Sequence, residues 1–396
     1  MSEFLEVQRD VEDAKKPRPK HPTGWEPGVD TGTRTVTFLK DEREPPSPDD
    51  WATIITELGL PADQWTVDPN YPVQVRSWDS GLRRQFYYRA TITPLSASKV
   101  NEEIDLLLKD VRKRKPRKKT YTHDKRAFVV CLSDWQAGKP DGGGHQALID
   151  RLTELREAVP ERIRQLKKMG KPVDHLYIVG MGDMVESCDG HYSTQTFSVT
   201  LDGRQQVKLV RRMLYELITH WSNLAPQVVV GCVPGNHGES RKNGKAYTTF
   251  EDNDDLAVFE QVHEILSENP DAYGHIRWVI PDGDMTITLD LANSGYVASF
   301  AHGHQAKSGG GGPQNKLKNW WEGKMSARHP VGDADLLVSG HYHHLQVVQD
   351  GPRTWMQCPA NDGGSRWFEE AGGPTTVCGT LTFVTEPDGW SELAIL

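Results

Sequence analysis

Five short polar clusters hold the residues whose types and spacing could do chemistry. They are Ser133-Asp134-Trp135-Gln136, Gly182-Asp183-Met184-Val185-Glu186, Gly235-Asn236-His237-Gly238-Glu239, Ala301-His302-Gly303-His304 and Gly340-His341-Tyr342-His343. Together they supply carboxylates, amides and imidazoles, the mixed oxygen and nitrogen donors that suit hard-to-borderline divalent metals. A pair of such ions is a recurrent device for hydrolysis. Asp134 and Gln136 are two residues apart, so in an extended chain both point to one side, as do His341 and His343. Gly182 lets the backbone come close ahead of Asp183, a carboxylate with two oxygens to share between two cations. Asn236 offers a neutral amide oxygen, and His237 beside it is left free for proton work.

Residues so far apart in the chain converge only if regular elements deliver them. Each cluster directly follows an apolar run, and β-rich runs occur at 127–132, 175–179, 228–233, 285–291, 296–300 and 335–338. Amphipathic helical patterns at 146–169, interrupted by Pro160, and at 205–221 lie between the first three. Strands alternating with helices predict βαβ units, with ligands gathered at the carboxyl ends of the strands. The later strands are joined more tightly and read as antiparallel. The expected fold class is therefore α/β, a two-sheet β-sandwich flanked by helices, over residues 127–396.

The N-terminal part has a different texture. Residues 1–46 are rich in Pro, Gly, Lys and Asp and read as a flexible arm. Ser47-Pro48-Asp49-Asp50 is a helix start, strands are predicted at 71–78 and 84–92 around an Asp79-Ser80-Gly81 turn, and a helix at 96–111. This makes a small α+β accessory domain over 47–108, followed by a basic linker over 109–126. Within that linker, residues 109–119 hold eight basic side chains and one acid. Such a run either grips phosphates or is simply solvated.

The order of the clusters resembles the calcineurin-like metallophosphoesterase superfamily, whose pattern is DxH, GDxx(D/E), GNH(D/E), a single His, then GHxH. The resemblance spans about residues 127–345 and includes relatives among repair exonucleases, bacteriophage enzymes and small bacterial phosphodiesterases. It implies that Asp134, Gln136, Asp183 and His343 hold one metal, and that Asp183, Asn236, His302 and His341 hold the other. It further implies in-line hydrolysis of a phosphoester, with His237 protonating the leaving oxygen or stabilising charge on the phosphoryl group, and Glu239 orienting His237. The first block departs from the pattern: it is DxQ where the family has DxH. A Gln oxygen is a weaker donor than imidazole, so the first site is expected to bind loosely and to favour Mn²⁺ or Mg²⁺ over Zn²⁺, with Fe²⁺ also compatible; the alternative is a lost site. In the fourth block either His302 or His304 could ligate; His302, nearer the strand end, is preferred, and His304 is left as a substrate contact or a structural residue.

Bulk properties narrow the rest. A net charge of −9 over 396 residues excludes a generally basic nucleic-acid coat but not a local one. The mean hydropathy is −0.61, and no apolar stretch is long enough to span a bilayer. With a charged N-terminus lacking an apolar signal core, the expectation is a cytoplasmic protein (host cytoplasm if phage-encoded). The five cysteines form no CxxC pair, so neither thiolate zinc nor a disulfide framework is expected. Arg241, Lys242, His304 and Lys307 are candidate substrate contacts, although charged loops are often merely solvated. Trp135 and the Trp320-Trp321 pair either stack nucleobases or pack. His145 and His191 read as ordinary loop histidines. The substrate expectation is nucleic acid, as for an exonuclease-like DNA nuclease; the alternatives are a nucleotide phosphodiesterase or phosphatase, and an inactive scaffold whose N-terminal domain docks a partner protein. Oligomeric state is not legible.

Overall fold

A computed structural model describes residues 21–396 except 31, 42, 44–45, 61–64, 69–70, 80–83, 95, 118–124, 193–194, 243, 308–311 and 365–376. The chain divides into two compact units, Met1–Lys109 and Asp110–Leu396.

In the first unit, β1 (Gly28–Asp30), β2 (Thr35–Lys40), β3 (Trp65–Val67), β4 (Gln74–Asp79) and β5 (Arg84–Pro94) form one antiparallel sheet. The long β5 is its centre, paired with β2 along one edge and with β4 and β3 along the other. A helix over Pro48–Glu57 is set by a capping box: Ser47 Oγ accepts from Asp50 N at 3.2 Å, and Asp50 Oδ2 accepts from Ser47 N at 2.8 Å. Trp51 and Ile55 of that helix are buried with Val36, Tyr88, Ala90 and Ile92. Residues 28–40 are thus not part of an arm, as their composition suggested. Phe38 meets Trp51 edge-on at 5.2 Å and stacks on Tyr88 at 5.4 Å, which gives β2 an apolar face worth burying. The expected turn at 79–81 lies largely outside the described residues.

The expected linker also differs. A helix runs over Ser96–Lys113, two residues beyond the pattern, and its last turn belongs to the second unit. Tyr215 Oη donates to Asp110 Oδ2 at 2.6 Å, Arg112 pairs with Glu268 at 2.7 Å, and Arg117 donates to the carbonyls of Ala225 and Pro226. Three of the eight basic residues expected to be solvated or on phosphate therefore have partners inside the protein, Arg114 being paired with Asp110.

The second unit is a sandwich. One sheet runs β11-β8-β7-β6-β17-β18 and the other β12-β13-β14-β16-β15. In the first, β6 (Ala127–Leu132), β7 (His175–Gly180), β8 (Gln227–Cys232) and β11 (Ile276–Val279) are parallel, and β17 (Leu381–Glu386) and β18 (Gly389–Ile395) complete it antiparallel. In the second, β13 (Val297–Ala301), β14 (Leu336–Ser339) and β16 (Arg353–Gln357) are parallel, flanked by antiparallel β12 (Thr286–Asp290) and β15 (Gln346–Asp350). The later strands are thus more parallel than their short connections suggested, because the helix Pro313–Ser326 carries the chain from β13 to β14, and β15, on the far edge, returns it from β14 to β16.

Alternation explains the layers. Val129, Cys131, Tyr177, Val179 and Val229 of the first sheet meet Ile287, Leu289, Phe300, Val338 and Met356 of the second in one core. The other face of β6 (Phe128, Val130, Leu132) is buried as well, as expected for parallel strands covered by helices, here Gly144–Lys168 and Gly203–Trp221. On the outer face of the second sheet, Leu317 and Trp321 of Pro313–Ser326 pack with Leu337 and Trp355. The result is the expected helix–sheet–sheet–helix sandwich. No described helix is long and apolar enough to cross a membrane.

Candidate metal centre

All five clusters begin within three residues of the carboxyl ends of β6, β7, β8, β13 and β14, where parallel strands of both sheets finish at one edge. Backbone bonds knit them together: Asp134 N donates to Gly182 O at 3.2 Å, Gln136 N to Asp183 O at 2.9 Å, and Gly340 N to His302 O at 2.9 Å. The glycines are spatial necessities. A Cβ on Gly182, whose φ is +88°, would lie 2.7 Å from His302 Nδ1, and one on Gly235 would overlap the Asp183 amide and carboxylate.

The donors are not presented from extended chain, as residue spacing suggested. Asp134, Gln136, Asp183, His341 and His343 have φ of 50°, 42°, 53°, 72° and 60°, in the left-handed region. Five non-glycine residues held there at one edge store local strain, which surrounding bonds must over-determine. Much of that restraint comes from Asp255, on the first turn of a helix over Asp254–Ser267. Its buried carboxylate accepts from the amides of Asp183 (2.8 Å), Met184 (2.8 Å) and Gly235 (2.9 Å). Burial, with Asp183 close by, pushes its pKa up to about 7. Asn253, which caps the same helix, donates to Gly235 O at 2.9 Å.

One group of donors is ready for a cation. Ligand atoms of Asp183, His302 and His341 lie within 4.8 Å of one another. Asn236 Oδ1 is buried without a hydrogen-bond partner. His302 Nε2 sits 3.0 Å from Asp183 Oδ2, and its Nδ1 is 2.7 Å from Met181 O. Since a carbonyl only accepts, Nδ1 carries the proton, which turns Nε2 toward the carboxylate as a ligating histidine requires. Burial opposes charge on His302, yet Asp183 pushes its pKa up to about 9; burial, with His302 beside it, pushes His341 down to about 3. Asp183 itself is held well below the usual carboxylate range by His302 and His237, which outweigh its burial. An orphaned, buried amide oxygen and two imidazoles around a carboxylate fit a divalent ion.

The other group fits less well. Asp134 Oδ1 is 3.2 Å from His343 Nε2, and Asp362 Oδ2 is 3.1 Å from His343 Nδ1. Asp134 and Asp362, against the effect of burial, push the His343 pKa up to about 10. Gln136 points elsewhere: its Oε1 accepts from Lys139 Nζ at 3.0 Å, and its Nε2 lies 3.1 Å from His237 Nε2. Lys139 is also paired with the buried Asp362.

His237 lies beside these groups, its backbone N donating to Asp183 Oδ1 at 2.7 Å and its Nδ1 to Glu186 O at 2.8 Å. The carboxylate near its ring is Glu186, at 3.4 Å, and not Glu239 as the family pattern implied. Glu239 instead bonds Arg241 Nε at 3.0 Å and faces His304 Nε2 at 3.4 Å. Glu186 wins because the Ala137–Val185 bridge and the bond from Glu186 N to Ala137 O (3.1 Å) pin its loop beside the ring. His304 is thereby separated in role from His302. Arg241 and Lys242 form β9, a two-residue strand paired with β10 (Lys245–Ala246); Arg241 is engaged by Glu239, whereas Lys242 and Lys307 are exposed.

Three participants carry no motif. Asp362 follows β16 as the other clusters follow their strands, Asp255 acts through backbone amides, and His191 stacks on His237 at 3.8 Å with ring planes 3° apart. His191 is therefore not an ordinary loop histidine; only its nearness to the GDMVE block hinted at this. Trp135 and Trp321 are buried, Trp321 donating to Val331 O at 2.7 Å, so they are packing residues. The glycine run at 308–312 lies mostly outside the described residues.

No protein-family profile and no curated protein matches the chain. Among solved structures, it is similar to an archaeal phosphodiesterase (13% identity, 68% of this chain and 99% of that one, TM-score 0.31). It is likewise similar to Vps29 complexed with Zn²⁺ from Entamoeba histolytica (14%, 65% and 84%, 0.29). A conserved protein of Streptococcus pneumoniae TIGR4, a predicted phosphoesterase, is a third (13%, 66% and 84%, 0.26). At such scores nothing those proteins do is transferred to this chain. In motif order and in layering alike, the chain resembles the calcineurin-like metallophosphoesterases.

Proposed function

We propose that this chain is a divalent-metal-dependent phosphoester hydrolase acting on nucleic acid, as a DNA nuclease. The observation that carries the hydrolase reading is the convergence of Asp183, His302 and His341, together with a buried Asn236 Oδ1 that has no hydrogen-bond partner. Divalent ions, Mn²⁺ foremost, would supply Lewis acidity there and neutralise charge on a phosphoryl group. Two positions are on offer, one on this set and one on Asp134, Gln136, Asp183 and His343.

His237 is the proton donor in this reading. Its Nδ1–H is committed to Glu186 O, and its Nε2 meets the Gln136 amide nitrogen at 3.1 Å; in this reading the leaving oxygen displaces that amide and takes its proton from Nε2 of a protonated ring. His191, stacked face to face on His237, keeps the ring plane fixed.

Support for a polymeric substrate comes from the segments that follow the second and third clusters. Phe197 is 91% exposed and Tyr247 65%, and the exposed Lys242 and Lys245 lie on the β9–β10 hairpin between them in sequence. Exposed aromatic and basic side chains of this kind suit stacked bases and phosphates. The test is hydrolysis of linear single-stranded DNA, free nucleotides and bis(p-nitrophenyl) phosphate, each with Mn²⁺ and with EDTA. DNA cleavage that weakens steeply with salt supports the nuclease reading; turnover confined to the small esters replaces it with a nucleotide phosphodiesterase. No hydrolysis in any arm leaves a metal-binding scaffold.

A further inference from the structure

The departure from the family pattern at Gln136 has a structural counterpart in Lys139. The Lys139 ammonium donates to Gln136 Oε1 at 3.0 Å and pairs with Asp362 Oδ2. This fixes the amide: with Nε2 and Oε1 exchanged, two donors would face each other at Lys139. The oxygen that the pattern assigns to the first metal is therefore occupied by a cation of the protein's own, and the Gln136 Nε2 side, which cannot ligate, faces His237.

This arrangement is built in rather than incidental. Asp362 is fully covered, and the Lys139 side chain is 13% exposed. The loops bearing them are in backbone contact, a Cβ on Gly142 overlapping Gly363 Cα. Arg151 ties the same loops together, donating to Asn361 O at 2.9 Å and to Gly142 O at 3.3 Å. Asn361 N in turn reaches Asp134 O at 3.2 Å, and Gly364 N donates to Asp362 Oδ1 at 2.9 Å. The same Asp362 oxygen holds His343, so ammonium, carboxylate and imidazole form one unit next to Asp134.

We propose that the two metal positions are unequal: Lys139, anchored by Asp362, claims the Gln136 oxygen and opposes a dication on Asp134 and His343, so the chain keeps one divalent ion tightly, on Asp183, Asn236, His302 and His341. A fixed positive charge repels a neighbouring cation and weakens its binding. Lys139 is a positioning residue that sets metal stoichiometry. The inference rests on the donor set of the proposed function.

The experiment is Mn²⁺ binding by equilibrium dialysis with metal analysis, and Mn²⁺ electron paramagnetic resonance, on the full chain, Lys139→Met, Lys139→Gln and the exposed-site control Lys242→Met. Native-like circular dichroism is required of each. The wild type and Lys242→Met should hold one ion with an uncoupled spectrum. Lys139→Met or Lys139→Gln should take a second ion about tenfold or more tightly than the wild type does, with an exchange-coupled spectrum. Two equally tight ions in the wild type, or unchanged second-ion binding in both folded Lys139 variants, overturns the inference and leaves the hydrolase reading standing. Absence of any bound ion overturns both.

Discussion

At the position shared by Asp183, Asn236, His302 and His341, a buried amide oxygen has no hydrogen-bond partner, and His302 Nε2 faces a single carboxylate, Asp183. At the position shared by Asp134, Gln136 and His343, the amide oxygen is bonded by Lys139, and His343 is held between two carboxylates. Both positions lie at the same strand ends and use the same residue types. What separates them is the company each donor keeps, since a donor already satisfied by an ammonium has little left for a metal. Ligand-type residues in the right order do not by themselves make equivalent sites.

The comparison can be broken by mutation. The largest effect is expected at the open position: His302→Ala should abolish tight Mn²⁺ uptake, and hydrolysis with it, as read by calorimetry and by assay. His343→Ala should leave the first equivalent of Mn²⁺ bound, lowering activity by about 10- to 100-fold. Equal loss of uptake in both variants would erase the distinction. His237→Ala should lower kcat by about 10²- to 10⁴-fold with unchanged Mn²⁺ uptake, because its role is proton transfer. Glu186→Gln should lower kcat by about tenfold, whereas Glu239→Gln should leave it unchanged; the reverse ranking would restore the family assignment.

A smaller effect concerns protons. Asp183 holds the His302 pKa up at about 9 against the effect of burial, so without a metal His302 is protonated at neutral pH. A ligating nitrogen must be deprotonated, so Mn²⁺ uptake should release a proton and tighten as pH rises toward about 9. Calorimetry in two buffers of different ionisation enthalpy reads this directly. Identical heats in both buffers would mean that His302 does not ligate.

Much of this architecture was legible in the residues. β6, β7 and β8 read as short apolar runs followed by Ser-Asp, Gly-Asp and Gly-Asn, because buried parallel strands need unbroken apolar sequence and their ends need tight turns. What escaped was set by long-range approach. Asp362 follows β16 by the same rule as the motifs, but its Asn361-Asp362-Gly363-Gly364 context reads as an ordinary turn. Asp255 acts through three backbone amides, a role any buried carboxylate could play, and its helix position alone does not announce it. Whether Glu186 or Glu239 meets His237 depends on which loop the Ala137–Val185 bridge draws in. β1 and β2 were missed because Phe38 gains its value only once Trp51 and Tyr88 are beside it.

The most direct measurement is the anomalous scattering of Mn²⁺ soaked into crystals of the full chain. A strong peak bounded by Asp183, Asn236, His302 and His341, with weak or no density beside Asp134 and His343, is the expected result. A map with no peak among those four residues would contradict the account.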